Sequence, residues 1–247
     1  MLEQVVRELD GVGRDGTVND IARIIDRQFG SSALDEQIAK SLLNSLGSKR
    51  SASHVVAVLS CLQLRGLRPT VYLASAAILA CRRSKDWSSA LVILKEMAAS
   101  QVELDTIAYN AAISACEKGG QHDKALWLLG KMADRRVQLD TIAYNTAISA
   151  CEKAGEWAAA SSLLVEMATT CVESDTITYS AAISACEKGG QWAKALGLLV
   201  EMALARVDLD TITYSAAISA CENDGQWARA LGLLADMALA RVDPTTI

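Results

Sequence analysis

This chain of 247 residues repeats itself every 35 residues, and that period limits the folds open to it. The stretch DTIAYNAAISACEKGGQ at 105–121 returns as DTITYSAAISACEKGGQ at 175–191, with an amide (Asn110) replaced by a hydroxyl (Ser180). A fixed period of this length is typical of stacked supersecondary units and not of one globular core. Five full copies can be aligned, and they begin at Val71, Thr106, Thr141, Thr176 and Thr211.

Each copy contains two helical patterns. In one copy Tyr109, Ile113 and Cys116 lie at i, i+4 and i+7, which predicts one apolar face of a first helix. Gly119 and the glycine after it can end that helix. Residues 125–132 repeat the 3.6-residue spacing and predict a second helix. Since one helical hairpin buries little by itself, the copies are expected to stack into an all-α solenoid with one helix layer inside and one outside.

The remainder of the chain follows the register less closely. Residues 36–70 fit it only loosely and predict a degenerate copy. Residues 1–35 predict an N-terminal helical cap or linker, because Ile21, Ile24 and Ile25 form an amphipathic pattern. The repeat region is predicted at residues 71–247, with full copies at 71–105, 106–140, 141–175, 176–210 and 211–245.

The sequence stops two residues into a sixth copy, at Ile247. The apolar flank of the last hairpin would then stay uncovered. We therefore expect a fragment, a missing C-terminal cap, or self-association through the last repeat.

The composition of the chain excludes some classes of binding partner and of chemical activity. The net charge of -5 argues against a generic basic nucleic-acid binder, so contacts with phosphates would have to be local. No apolar run approaches the roughly 18 to 20 residues that span a bilayer, so no membrane partner is expected. The two histidines, His54 and His122, stand in no arrangement typical of a metal site or a catalytic triad. The chain is therefore expected to have no cofactor and no enzymatic activity of its own.

The cysteines follow the repeat and not a metal-binding or disulfide pattern. This spacing predicts small, buried side chains with free thiols, as in a reducing compartment. The five periodic cysteines are Cys81, Cys116, Cys151, Cys186 and Cys221.

At the level of a whole repeat, the chain resembles the pentatricopeptide repeat family. The shared pattern is Tyr at the fourth position, Asn or Ser at the fifth, Lys-x-Gly at 13 to 15, Ala at 20 and Met at 27. The resemblance covers residues 71–245 strongly and 36–70 weakly, and it implies a right-handed α-solenoid. The seventh position departs from the family, because it is Ala in every full copy. One copy shows the whole pattern at Tyr109, Asn110, Lys118, Gly120, Ala125 and Met132.

The resemblance implies that single-stranded RNA binds along the inner surface, one base per repeat. The fifth and last residues of each repeat would select the base, with Asn plus Asp reading uracil and Ser plus Asp reading guanine. The implied preference is near 5′-GUUG-3′, and no base is assigned to Ser215 with Thr245 or to Lys40 with Thr70. The implied pairs are Ser75 with Asp105, Asn110 with Asp140, Asn145 with Asp175, and Ser180 with Asp210.

Helical spacing agrees with this implication, although the same residues also have simpler explanations. Ile107 and Asn110 are one turn apart on a face that excludes Tyr109, so an aliphatic side chain can flank a base that the amide reads. An aspartate such as Asp140 is a competent helix cap with or without RNA. The expected stacking residues are Tyr72, Ile107, Ile142, Ile177 and Ile212, and the expected phosphate contacts are Arg83, Lys118, Lys153 and Lys188.

Two alternatives to RNA binding stay open at this point. One is a protein-binding helical scaffold, which the acidic balance favours, and the other is a near-consensus array with no target. The family also implies a chloroplast or mitochondrial location, although the acidic N-terminus does not read as a transit peptide. A separate prediction concerns tryptophans in one phase of the second helix, which are expected to pack between repeats and not to stack on bases. These are Trp87, Trp157, Trp192 and Trp227.

Overall fold

The structure is a computed structural model that describes residues 2–11, 18–29, 36–48, 52–64, 70–240 and 242. Within these residues the regular secondary structure consists of fourteen α-helices and no strand. The helices belong to two compact units, Met1–Val137 and Gln138–Ile247. The all-α helical-repeat fold expected from the sequence is confirmed.

The helices of the first unit pack in two layers. Helices α3, α5 and α7 pack side by side, and α4 and α6 lie beside them in the second layer. The loosely repeated segment 36–70 contains the pair α3 and α4, and Ile21 and Ile25 of α2 are fully buried. The bounds are α1 Leu2–Gly11, α2 Val18–Phe29, α3 Glu36–Ser48, α4 Ala52–Leu64, α5 Val71–Ser84, α6 Trp87–Ala99, α7 Thr106–Lys118 and α8 His122–Asp134.

The second unit consists of three complete hairpins. Its first helices α9, α11 and α13 pack side by side, and each second helix contacts the first helix of its own hairpin. Helices α10 and α12 also contact the first helix of the next hairpin. The bounds are α9 Thr141–Ala154, α10 Trp157–Thr169, α11 Thr176–Lys188, α12 Trp192–Leu204, α13 Thr211–Asn223 and α14 Trp227–Leu239.

An aspartate at the end of each of the first four full copies starts the next first helix. The Oδ1 atom of Asp105 accepts the Ala108 N–H at 2.9 Å, and Asp210 accepts the Thr213 N–H at 2.8 Å. Such a cap satisfies a backbone donor that the helix leaves unpaired. Because the predicted base-selecting aspartates are these caps, their carboxylates are held in place without any ligand. All four are Asp105, Asp140, Asp175 and Asp210.

Small side chains fill the closest approaches between helices. The seventh residue of every full copy is a fully buried alanine, and the eleventh is a fully buried cysteine. A larger residue at either position would overpack the space between neighbouring hairpins. In the part of the chain that the structure describes, no helix has the length and apolar character needed to cross a membrane. The alanines are Ala77, Ala112, Ala147, Ala182 and Ala217.

Candidate nucleic-acid interface

The second residue of each full copy places a large apolar side chain in solvent. These side chains are between 61% and 67% exposed, while Tyr109 and Tyr144, on the opposite face of their helices, are buried. Isolated exposed aliphatic groups are common, but a set that recurs at one repeat position indicates a contact surface. The set is the one expected from the sequence for base stacking: Tyr72, Ile107, Ile142, Ile177 and Ile212.

In the second unit, the side chains of Asn145 and Asp175 form a direct hydrogen bond. The Asn145 Nδ2 atom donates to Asp175 Oδ1 at 3.0 Å. The fifth residue of this repeat and its last residue are therefore brought together, as the resemblance implies. Asn145 also lies three residues after the exposed Ile142, so both side chains share one face of α9.

Thr178 completes this cluster from the following helix. Its hydroxyl donates to Asn145 Oδ1 at 2.5 Å and lies 2.8 Å from Asp175 Oδ1. The same hydroxyl accepts the Asp175 N–H at 3.0 Å, and the Thr178 N–H donates to Asp175 Oδ1 at 2.9 Å. Thr178 is completely buried. Three side chains from two repeats thus form one closed polar cluster.

These hydrogen bonds decide the protonation of Asp175. Burial by itself would raise the pKa of the carboxyl group. The Thr178 backbone N–H, the adjacent Thr178 hydroxyl dipole and the Asn145 amide oppose burial, and together they lower the pKa below its usual value. The carboxylate is therefore ionised at neutral pH and acts only as an acceptor.

The next repeat presents a different chemistry at its fifth position. The Ser180 hydroxyl donates to the Ile177 carbonyl at 3.1 Å and so faces the solvent with its lone pairs. Asp210, which ends this repeat, caps α13 and also accepts the hydroxyl of the buried Thr213. This pair offers acceptors where Asn145 offers an amide.

The first full copy contains a more enclosed version of the pair. The Ser75 hydroxyl donates to Asp105 Oδ1 at 3.4 Å, and Ser75 is only 9% exposed. The ring of Tyr72 is approached by the ammonium of Lys40, 5.3 Å from its centroid. The remaining predicted pair has one member in each unit: Asn110 is half-buried on α7, and Asp140 caps α9.

The predicted phosphate contacts lie near the ends of the first helices. Arg83, Lys118, Lys153 and Lys188 are all exposed. The Lys188 ammonium forms a salt bridge with Glu152 of the preceding repeat, with an Nζ to Oε1 distance of 2.7 Å. Glu152 therefore neutralises part of the positive charge that Lys188 would offer to a phosphate.

Sequence reasoning missed the third position of the repeat. Ala108 and Thr178 occupy equivalent places in the two near-identical stretches, and that difference was visible in the sequence. A threonine there looks like an ordinary helix residue, however. Only the structure shows that its hydroxyl reaches back to the fifth residue of the preceding repeat.

The predicted packing of tryptophans between repeats is present for Trp87 and Trp157 and is wrong for Trp227, which is 72% exposed on the last hairpin. Trp87 lies against Gly119, and Trp157 lies against Gly189, at the end of the next first helix in each case. Trp192 is covered by the Arg229 guanidinium, 5.0 Å from the ring centroid. Among the residues that the structure describes, no group of three or more His, Cys, Asp or Glu is placed to hold a metal ion.

The stacked hairpins and the aspartate caps that start the first helices define an all-α helical-repeat protein. The family model described as "PPR repeat family" matches residues 104–151 and 139–188, and the one described as "PPR repeat" matches 177–207 and 212–241. Together these matches cover more than half of the chain. The chain belongs to the pentatricopeptide repeat family.

Solved structures share the fold at low sequence identity. The pentatricopeptide repeat protein PPR10 from maize is 20% identical with a TM-score of 0.65, over 99% of this chain and 43% of PPR10. The PPR domain of Arabidopsis thaliana protein-only RNase P 1, solved in complex with tRNA, is 13% identical with a TM-score of 0.64, over 76% of this chain and 98% of that domain. This chain thus spans less than half of PPR10. None of the curated proteins compared by sequence matches it.

Proposed function

We propose that this chain binds single-stranded RNA through its first helices, one base per repeat, and that it acts by binding in the processing or stabilisation of RNA. Membership of the pentatricopeptide repeat family supports this role, and a solved relative of the same fold is in complex with tRNA. The observation that carries the proposal is the contact between Asn145 and Asp175 beside the exposed Ile142. This cluster combines an apolar flank with polar groups whose positions are fixed before RNA arrives.

The chemistry of the Asn145 cluster fits uracil. One amide hydrogen is used by Asp175 and one lone pair of Oδ1 by Thr178, so one donor and one acceptor are left for a ligand. Uracil presents an N–H donor at N3 next to a carbonyl acceptor at C4. A base lying between the aliphatic side chains of Ile142 and Ile177 would meet both groups with its Watson–Crick edge.

The chemistry of the Ser180 cluster fits guanine. The Ser180 hydrogen is used by the Ile177 carbonyl, and Asp210 is an acceptor, so this position offers acceptors. Guanine presents two donors, N1–H and the N2 amino group, on its Watson–Crick edge. With guanine and uracil assigned to the pairs Ser75 with Asp105 and Asn110 with Asp140 by the resemblance alone, the proposed order along the repeats is 5′-GUUG-3′.

Electrostatics has a limited part in this binding. Three or four neutralised phosphates give a slope of log affinity against log salt of about -2 to -3 for a single strand. The net charge of -5 and the Glu152 salt bridge keep the total attraction small. Affinity therefore depends mainly on apolar contact with the bases, and each isoleucine should contribute less than aromatic stacking does, which is about 1 to 3 kcal/mol per base.

A titration with labelled RNA tests the proposal. The strands contain GUUG or its rearrangement UGGU within the same adenosine flanks, and each is measured at two salt concentrations. We expect GUUG to bind at least about tenfold more tightly, a difference of roughly 1.4 kcal/mol. Equal binding to both strands would remove base reading. Absence of binding to either would favour a protein-binding scaffold.

One observation favours protein binding as a second function. In the first unit, α6 and α8 border a groove of about 600 Å³ whose walls include Leu91, Leu128 and the exposed Trp127. Lysines such as Lys95 and Lys124 line its rim. An apolar groove with a basic rim suits an acidic amphipathic helix. Trp127→Ala would lower the affinity of such a partner and leave RNA affinity unchanged.

A further inference from the structure

We infer that Thr178 sharpens the specificity of the base site in the preceding repeat, because its hydroxyl, together with the Asp175 carboxylate, fixes which way the Asn145 amide faces. The inference rests on the proposed function and adds to it a third residue, contributed by the neighbouring repeat. Thr178 is a positioning residue, since it acts on the base only through Asn145.

Asn145 can face the cluster in only one way. Its nitrogen must face Asp175 Oδ1 at 3.0 Å, because a carboxylate accepts and does not donate. Its oxygen then faces the Thr178 hydroxyl at 2.5 Å, and that hydroxyl supplies the hydrogen. A rotated amide would place two acceptors together at Asp175 and would lose the hydrogen bond from the Thr178 hydroxyl to Asn145 Oδ1.

The orientation of the amide decides between uracil and cytosine. Uracil has an acceptor at C4 and a donor at N3, whereas cytosine has a donor at C4 and an acceptor at N3. A base in one fixed position therefore needs opposite amide orientations in the two cases, with the amide nitrogen facing C4 of uracil and the amide oxygen facing C4 of cytosine. An amide free to rotate would accept both bases. An amide held on both sides accepts one of them.

The Thr178 hydroxyl has a single hydrogen and two nearby acceptors. Asp175 Oδ1, at 2.8 Å, already receives the Thr178 N–H and the Asn145 amide. Asn145 Oδ1 is closer, at 2.5 Å, and receives no other donor among the hydrogen bonds of this cluster. The hydrogen therefore goes to Asn145. Complete burial keeps water from replacing it, so the hydroxyl acts in a setting where an unmade hydrogen bond is costly.

The third position of the preceding full copy shows that a residue without a hydroxyl is tolerated there. The other asparagine pair, Asn110 with Asp140, is followed in the sequence by Ala143 at the third position, which has no hydroxyl. Alanine at this position is thus compatible with the helix, whose Ala143 N–H still donates to its aspartate cap at 2.8 Å. Thr178→Ala is therefore expected to fold and to lack only the hydroxyl.

The experiment compares GUUG with GUCG and with GCUG, which place cytosine at the third and second base respectively. In the wild type, uracil is expected to be preferred over cytosine at the third base. Thr178→Val has the same shape without the hydroxyl and should reduce that preference by about three- to tenfold, the worth of one hydrogen bond. Thr178→Ser should retain it. The preference at the second base, measured with GCUG, should be the same in the wild type and in both variants.

A measurement without RNA separates this inference from the proposed function. The side-chain amide signals of Asn145 in a nitrogen-15 NMR spectrum should indicate one fixed orientation in the wild type and in Thr178→Ser. They should broaden or shift in Thr178→Val. Unchanged amide signals in Thr178→Val would overturn the positioning role of Thr178, whatever the RNA-binding measurements show.

The binding data distinguish the two ideas as well. If Asn145→Ser alters the third-base preference and Thr178→Val does not, the inference fails and the proposed function stands. If neither variant alters any base preference, base reading itself fails. Thermal unfolding by circular dichroism tests whether each variant is folded. If Thr178→Val is unfolded, Thr178→Ala replaces it, because alanine occupies the equivalent positions 108 and 143.

Discussion

The indole of Trp157 lies so close to Gly189 that a β-carbon on this glycine would collide with indole Cδ1. Trp87 and Gly119 have the same relationship in the first unit. In both places, the start of one repeat's second helix rests on the end of the next repeat's first helix. The contact sets the spacing between first helices, and these helices present the proposed base sites.

This contact predicts that Gly189→Ala destabilises the second unit. The indole is rigid and would have to move, so the cost should be about 1 to 3 kcal/mol, as in other overpacked cores. The matched control is Gly197→Ala within α12, where an added β-carbon meets nothing within 4 Å. The control should be stabilising by about 0.5 to 1 kcal/mol, because alanine favours helix. Urea unfolding measures both, and equal effects would contradict the packing role.

Much of the fold could be predicted from the sequence, because the same apolar pattern recurs in every full copy. The periodic faces around Ile113 and Cys116 predicted the first helices, and both residues are fully buried. The tryptophan packing was predicted from its constant phase. The division into units after Val137 was not predicted, since no change in composition marks it.

The site was predictable only in part. Helical spacing placed Ile142 and Asn145 on one face, and the resemblance paired Asn145 with Asp175. Neither could show that the Ser180 hydroxyl donates a hydrogen bond to a backbone carbonyl, because a serine hydroxyl can donate to any of several nearby acceptors. Neither could show Thr178, because its contact crosses from one repeat to the next.

The cysteines should differ sharply in reactivity. Burial, with a smaller contribution from the Asp86 charge, raises the pKa of the Cys81 thiol to about 12, and burial raises that of Cys116 to about 11. Since the thiolate is the reactive form, these groups are inert in the folded protein. Cys171 is the only exposed cysteine of the seven. A thiol reagent at pH 8 should modify one group quickly in the native protein and seven in urea.

Cys171→Ser is the control for this measurement. It should abolish the fast reaction and leave six groups that react only after unfolding. A fast reaction that persists in Cys171→Ser would contradict the burial of the periodic cysteines.

The lowered pKa of Asp175 predicts a pH-dependent contribution to stability. Its carboxyl has a pKa near 3.9 in an unfolded chain and a lower one here, so its contribution is present above about pH 4 and is lost as pH falls through the folded value. Asp175→Asn keeps a helix cap and removes the charge. It should cost about 0.5 to 1 kcal/mol at pH 7 and little once the pH is well below the folded pKa of Asp175.

Urea unfolding at several pH values follows this difference. The control is Asp208→Asn, an exposed carboxylate that does not cap a helix. A loss for Asp175→Asn that is the same at low and neutral pH would show that the charge does not stabilise the cap.

The salt bridge between Lys188 and Glu152 predicts that removing the acid strengthens RNA binding. Glu152→Gln leaves the Lys188 ammonium available to a phosphate. We expect tighter binding and a salt slope steeper by about 0.7, the value for one more phosphate on a single strand. Glu201→Gln, which removes the same charge from the exposed face of α12, is the control. Identical effects of the two variants would mean that only net charge matters.

Base reading is tested most directly at Asn145. The measurement is the affinity of the wild type and of Asn145→Ser for four RNAs that differ only in the third base of GUUG. We expect the wild type to prefer uracil and the variant to shift toward guanine, with the preferences at the first and fourth bases unchanged. The same order of four affinities for both proteins would contradict the account.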